Sequence, residues 1–185
     1  MIRKLPVIPA HIFQFHRARD LATWLPDLPK RYGTYLVLIR GGDRLLELAG
    51  YFDHHDRLPY QRRGYWHLYT GAGYEWGRRV RHHLSGNTYK SNLRCTLEAL
   101  ETVCQAISFS GITPWTGDGD ERLTEWIIRN AVIGACECSD PKTLEKAILE
   151  STASPLNIDQ RKWDPFGRRL IEIRAEALKI NLKKG

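Results

Sequence analysis

The hydrophobic pattern changes its period several times along the chain. "TYLVLIR", residues 34–40, is almost continuously apolar, as expected of a strand covered on both faces. "GGD" at 41–43 followed by "RLLELAGYF" at 44–52 reads as a hairpin turn into a second strand. After the polar loop "DHHDRLPYQRRG", "YWHLYTG" at 65–71 is rich in aromatic side chains and ends in glycine, which suits a third strand. Together these predict an antiparallel meander. The metal-type side chains of "DHHD", 53–56, are adjacent in a loop and so poorly placed to converge on one ion.

Helical spacing takes over afterwards. Residues 18–25 already suit a short helix, stopped by the prolines of "PDLPKRYG". A helix is predicted over 74–84, a turn over "SGNTYK", and a second helix over 91–107, with apolar residues at 93, 97, 100, 103, 104 and 107 and Ser91 as its cap. A loop through "SGITPWTGDGD" leads to a short helix, "ERLTEWIIRN", and then to a strand, "AVIGACEC". Ser139 or Asp140 caps "PKTLEKAILES", with Pro141 in its first turn; "ASPLN" ends that helix, and "RRLIEIRAEALK" forms a final amphipathic one. The order predicts an α+β fold: a small, mainly antiparallel central sheet flanked by helices.

Composition narrows the function. The 185 residues suit one domain with a substantial core, and 42% apolar with 26% charged residues is ordinary for a globular protein. No run of about 18 apolar residues suggests a membrane span. The N-terminus mixes Pro, His, Gln and Arg where a signal peptide needs an apolar stretch, so the chain reads as cytoplasmic. The charge of +7, from 28 Lys and Arg against 21 Asp and Glu, suits a polyanionic partner. Cys95, Cys104, Cys136 and Cys138 lack zinc-finger spacing, and Cys136 and Cys138, two apart in a strand, are expected to point together into the core.

One constellation is specific. "GTYLVLI" at 33–39, "YTG" at 69–71, Arg79 ten residues after Tyr69, and Glu145 twelve residues before Asn157 follow one another on suitable elements. Singly, each has a plainer explanation: a rim tyrosine, a solvated helix charge, an acid favoured by a helix dipole, a turn asparagine. Jointly, over roughly residues 31–158, they resemble the GIY-YIG nuclease family, and most resemble its compact type II restriction endonucleases. Thr34 and Thr70 stand where that family usually has isoleucine, at positions that supply no chemistry. The chain divides accordingly into an N-terminal segment (1–30), a nuclease-like core (31–158) and a C-terminal helical segment (159–185) of a single domain.

The resemblance implies a metal-dependent DNA endonuclease that leaves 5′-phosphate and 3′-hydroxyl ends. It assigns Tyr35, Tyr69, Arg79, His83, Glu145 and Asn157 to the catalytic site. Glu145 would hold one Mg²⁺ or Mn²⁺ ion per site, a hard cation served by one carboxylate with water and phosphate oxygens. Arg79 would offset charge on the phosphate, Tyr69 and Asn157 would position groups, and either Tyr35 or His83 could serve as general base. Arg78, Arg81, His82 and Lys90 would meet flanking phosphates, and Arg62 and Arg63, interleaved with aromatic residues, would contact DNA as well. A homodimer and a cognate methyltransferase would accompany a restriction role. The alternatives are a structure- or single-strand-preferring nuclease of repair or defence, and a non-catalytic DNA-binding module.

Overall fold

The computed structural model describes residues 9–23, 30–53, 58–85, 88–105 and 119–182. Most of the "DHHD" motif, part of the 85–90 turn and nearly all of the 110–120 loop lie outside the described residues. The strands are β1 (Gln14–Arg17), β2 (Gly33–Arg40), β3 (Gln61–Arg62), β4 (Tyr65–Gly73) and β5 (Ala131–Glu137). The helices are α1 (Ala18–Ala22), α2 (Gly42–Leu48), α3 (Trp76–Ser85), α4 (Asn92–Cys104), α5 (Gly119–Asn130), α6 (Pro141–Ser151), α7 (Ile158–Arg161) and α8 (Pro165–Leu182). The fold is α+β, with one antiparallel sheet in the order β1-β5-β2-β4-β3.

The predicted hairpin and second strand at 44–52 are helix instead. Leu45, Leu46 and Ala49 are all buried, and two adjacent buried leucines fit a helix face better than a strand with one covered side. Gly50, at φ +77°, closes the helix: its N–H donates to Glu47 O (2.9 Å) and that of Tyr51 to Leu46 O (2.8 Å), a Schellman motif. The meander is corrected with it. The neighbours of β2 are β4 and, from far along the chain, β5. A further strand, β1, pairs with β5, and Phe15 packs so closely over Gly134 that a Cβ there would lie 2.7 Å from its ring.

The continuous apolar run of β2 is covered on both faces. Tyr35, Val37 and Ile39 face a core shared with Trp76, Val80 and Leu84 of α3 and Leu123, Trp126 and Ile127 of α5. Leu36 and Leu38 face Ile148 and Leu144 of α6. The last helix adds Phe166, Leu170, Ile173 and Ala177 to the larger core and packs along α4. Cys136 and Cys138 are half-buried rather than enclosed; Cys136 edges the smaller core, and Cys138 follows the strand's end.

A β-bulge decides which face the second tyrosine takes. Ile39 pairs with Trp66 and Leu38 with His67, but Val37 pairs with Tyr69, leaving Leu68 as the extra residue. Because side chains alternate with period 2, this single insertion moves Tyr69 and Gly71 onto the face that carries Tyr35 and Val37. Gly71 lies directly opposite Tyr35, and a Cβ on it would stand 2.3 Å from the phenol's Cζ and hydroxyl oxygen.

Candidate active site

Helix α3 is stitched to the start of β2. The Trp76 N–H donates to Arg31 O (3.2 Å), and Trp76 packs where a side chain on Gly33 would otherwise stand, 2.6 Å from the indole. With Trp76, Val80 and Leu84 buried, the helix turns His83 inward at 4% exposure towards the tyrosines. The Tyr35 hydroxyl and His83 Nε2 are 2.7 Å apart. The Tyr69 ring lies 6.4 Å from that of Tyr35 and 5.3 Å from that of His83. Arg79, one turn earlier on the helix and exposed along much of its length, brings its guanidinium within hydrogen-bonding reach of both phenols.

Burial dominates the electrostatics here. It raises the pKa of both phenols above the ordinary tyrosine value, with Arg79 working in the opposite direction. Burial also lowers His83 to about 3, reinforced by the positive charges of Arg79, His82 and Arg94. His83 is therefore a neutral imidazole at neutral pH. Its other nitrogen, Nδ1, is 2.7 Å from Ser91 Oγ, which also accepts the Arg94 N–H (3.2 Å) as the N-cap of α4. Fully buried Arg94 then donates to His83 O (3.1 Å), Thr124 Oγ1 (3.0 Å) and Asp120 O (2.8 Å).

Glu145 approaches from the opposite side, on α6. Asp140 caps that helix by accepting the Thr143 N–H (3.1 Å), and buried Thr34 of β2 donates its hydroxyl to Pro141 O (2.8 Å), which fixes the helix start to the strand. Half-buried Glu145 has its pKa raised by desolvation, with Arg79 and Lys142 opposing. Its charge is felt by Tyr35 and Tyr69 as well. Among the described residues, no group of three or more His, Cys, Asp or Glu converges as a metal cage would require. A single desolvated carboxylate fits a hard divalent ion that completes its shell with water and phosphate oxygens; it does not fit a closed zinc site.

Asn157 closes the arrangement from behind β4. Its Oδ1 accepts the Thr70 N–H (2.8 Å), and its Nδ2 donates to Thr70 O (2.7 Å). The Thr70 hydroxyl is 2.8 Å from Ser154 Oγ and 2.9 Å from Nε2 of buried His67, whose pKa burial lowers to about 4. Both motif threonines, expected to be chemically idle, thus tie the segments carrying Glu145 and Asn157 to the central strands.

A recess of about 270 Å³ opens beside the cluster, lined by Tyr69, Arg78, Arg79, His82, His83 and Lys90. Arg78 also pairs with Glu75 (3.2 Å), and Arg81 is half-buried on the same helix. Arg62 and Arg63 lie apart from this group, at the opposite end of β4 from Gly73. Arg62 there stacks over the Phe15 ring at 4.3 Å, while Arg63, at φ +49°, forms the exposed turn.

The family model for the GIY-YIG catalytic domain matches residues 33–176, from the first glycine of β2 into α8. The chain belongs to the GIY-YIG family. No curated protein and no solved structure matches it significantly. A GIY-YIG domain is a nuclease domain, and DNA is the substrate this implies. In this GIY-YIG nuclease, Tyr35, Tyr69, Arg79 and His83 form one contact group, Glu145 is coupled to it electrostatically, and Asn157 supports it through Thr70. No helix among the described residues is long and apolar enough to cross a membrane. Sequence reasoning named Ser91 only as a helix cap and missed Arg94. The cap itself was the available signal, because it places a hydroxyl at the mouth of α4, eight residues after His83.

Proposed function

We propose that this GIY-YIG nuclease is a metal-dependent DNA endonuclease of the sequence-specific type II restriction kind, hydrolysing phosphodiesters to 5′-phosphate and 3′-hydroxyl ends. The observation that carries the reading is the convergence of two phenols, a guanidinium and a neutral imidazole beside a basic recess, with one desolvated carboxylate facing them from α6.

Arg79 supplies a forked cation for a non-bridging phosphate oxygen, where charge builds in the transition state. Tyr35 orients the attacking water, and Tyr69 fixes the opposite wall of the recess. Glu145 would hold one Mg²⁺ or Mn²⁺ ion, whose chemistry when bound is to neutralise phosphate charge and ease departure of the 3′ oxygen. Asn157 keeps the backbone of β4 in register behind Tyr69. Arg78, His82 and Lys90 hold flanking phosphates along the recess. A palindromic target would engage two copies of the chain, and a restriction role a methyltransferase of the same specificity.

One observation favours a second reading, a structure- or single-strand-preferring nuclease. Tyr32 and Tyr74, 51% and 64% exposed, pack edge to face at 4.8 Å next to Gly33 and Gly73, at the active-site end of β2 and β4. Such a pair suits stacking of an unpaired base. Incubating the protein and its Glu145→Ala variant with supercoiled plasmid and Mg²⁺ separates the readings. Discrete bands that vanish in the variant support restriction, and a variant-sensitive smear or preference for single strands supports the second reading. Plasmid and single strands left intact by the wild-type protein would refute both.

A further inference from the structure

The neutral imidazole at the centre of the site has two tautomers, and the hydrogen-bond inventory around it distinguishes them. We propose that Ser91 is a positioning residue that sets the His83 tautomer: its hydroxyl donates to Nδ1, so that the Nε2–H donates to the Tyr35 oxygen. This rests on the nuclease reading only for its catalytic consequence. Ser91 Oγ already accepts the Arg94 N–H, at 3.2 Å, as the cap of α4. Its own hydrogen then needs an acceptor, and at 3% exposure the nearest one among the described residues is His83 Nδ1 at 2.7 Å. The opposite tautomer would aim two N–H donors at Ser91 and leave its hydroxyl hydrogen buried without a protein acceptor among the described residues, the costlier arrangement.

The same helix turn holds the ring in place. Arg94, three residues after Ser91, donates to the carbonyl of His83 at 3.1 Å, and is itself anchored on Asp120 and Thr124. One turn of α4 therefore grips both the imidazole and the backbone of His83. Two consequences follow for the chemistry. The Tyr35 oxygen receives donors from His83 and Arg79, a pairing that favours negative charge on that oxygen. His83, already protonated on Nε2, is not the group that takes the Tyr35 proton; the positive charges facing it from Arg79, His82 and Arg94 oppose a second proton on the ring. Of the two candidate bases, the geometry points to Tyr35.

The test is direct. Long-range ¹H–¹⁵N NMR of histidine-labelled, DNA-free protein at neutral pH should show His83 neutral with its proton on Nε2; a proton on Nδ1 overturns the proposal. Ser91→Asp keeps a good helix cap but can only accept, which forces the proton to Nδ1. In that variant kcat should fall about 100-fold with KM little changed, the scale of a lost acid–base contribution. If His83 were the base, a carboxylate on Nδ1 would assist it, so retained or increased kcat overturns the proposal. Ser91→Thr, which keeps the hydroxyl, should restore both the tautomer and a rate within a few-fold of wild type. Should the wild-type protein cleave no DNA, the nuclease reading fails while the NMR measurement still decides the tautomer.

Discussion

Substituting Gly71 by alanine tests the packing on which the whole site depends. At an unstrained, open strand position this change should stabilise the protein by about 0.4–1 kcal/mol, because alanine loses less backbone entropy on folding. Here the new methyl would stand 2.3 Å from the Tyr35 Cζ and hydroxyl oxygen, against an ordinary contact of at least 3.4 Å. The deficit is about 1 Å, and neither partner yields easily, since Gly71 is paired across β2 and Tyr35 is fully buried. Overpacking of this kind costs about 1–3 kcal/mol. For a chain of this size, 2 kcal/mol lowers the Tm by roughly 4–8 °C. Displacing the phenol by about 1 Å also breaks its 2.7 Å contact with His83, and misplacement on that scale costs about 100-fold in rate. Thermal unfolding followed by circular dichroism, alongside plasmid cleavage, gives both numbers. A variant at least as stable as wild type, or one that cleaves normally, would refute the claim that the motif glycine exists to admit the Tyr35 ring.

Other consequences are equally accessible. Asn157→Ala removes both partners of the buried Thr70 peptide groups, so unfolding in urea should report a loss of about 3 kcal/mol, from about 1–3 kcal/mol per orphaned group; a loss under 1 kcal/mol would mean that the amide bears no such load. His67 and His83 have folded pKa values of about 4 and about 3 against the ordinary 6.5, so the unfolded chain binds protons first as pH falls. Their contribution is complete at neutral pH and is lost as pH drops below 6.5 towards those folded values, on the order of 2 kcal/mol for each ring by about pH 5. A Tm that does not fall between neutral pH and that point would contradict the neutral, buried state of both rings. Finally, Lys90→Ala should weaken DNA binding and reduce the slope of log K against log salt by about 1, with cleavage retained at low salt; an unchanged slope would remove Lys90 from the phosphate track.

The one-dimensional pattern already contained the elements that rest on local signals. The apolar run of β2, the cap and proline that open α6, and the serine that opens α4 are each written in a few adjacent residues, and each forms as read. The spacing of Arg79 and His83 by one helical turn is also a local property. Residues 44–52 were misread because glycines that suit a hairpin turn equally suit a left-handed helix entry and a Schellman stop.

Other features required the assembled molecule. Strand β5 inserts between β1 and β2, a pairing between distant segments that no local period encodes. The bulge at Leu68 reverses the facing of everything after it in β4, so that Tyr69 joins Tyr35 only because one residue is left out of register. Thr34 and Thr70 gained roles because buried polar groups must find partners, and those partners arrive from α6 and from the segment before α7. The types of residue needed for phosphodiester chemistry were legible along the chain. Their contact, their desolvation and the direction of the proton on His83 are properties of surfaces brought together by folding, and only the tertiary structure decides them.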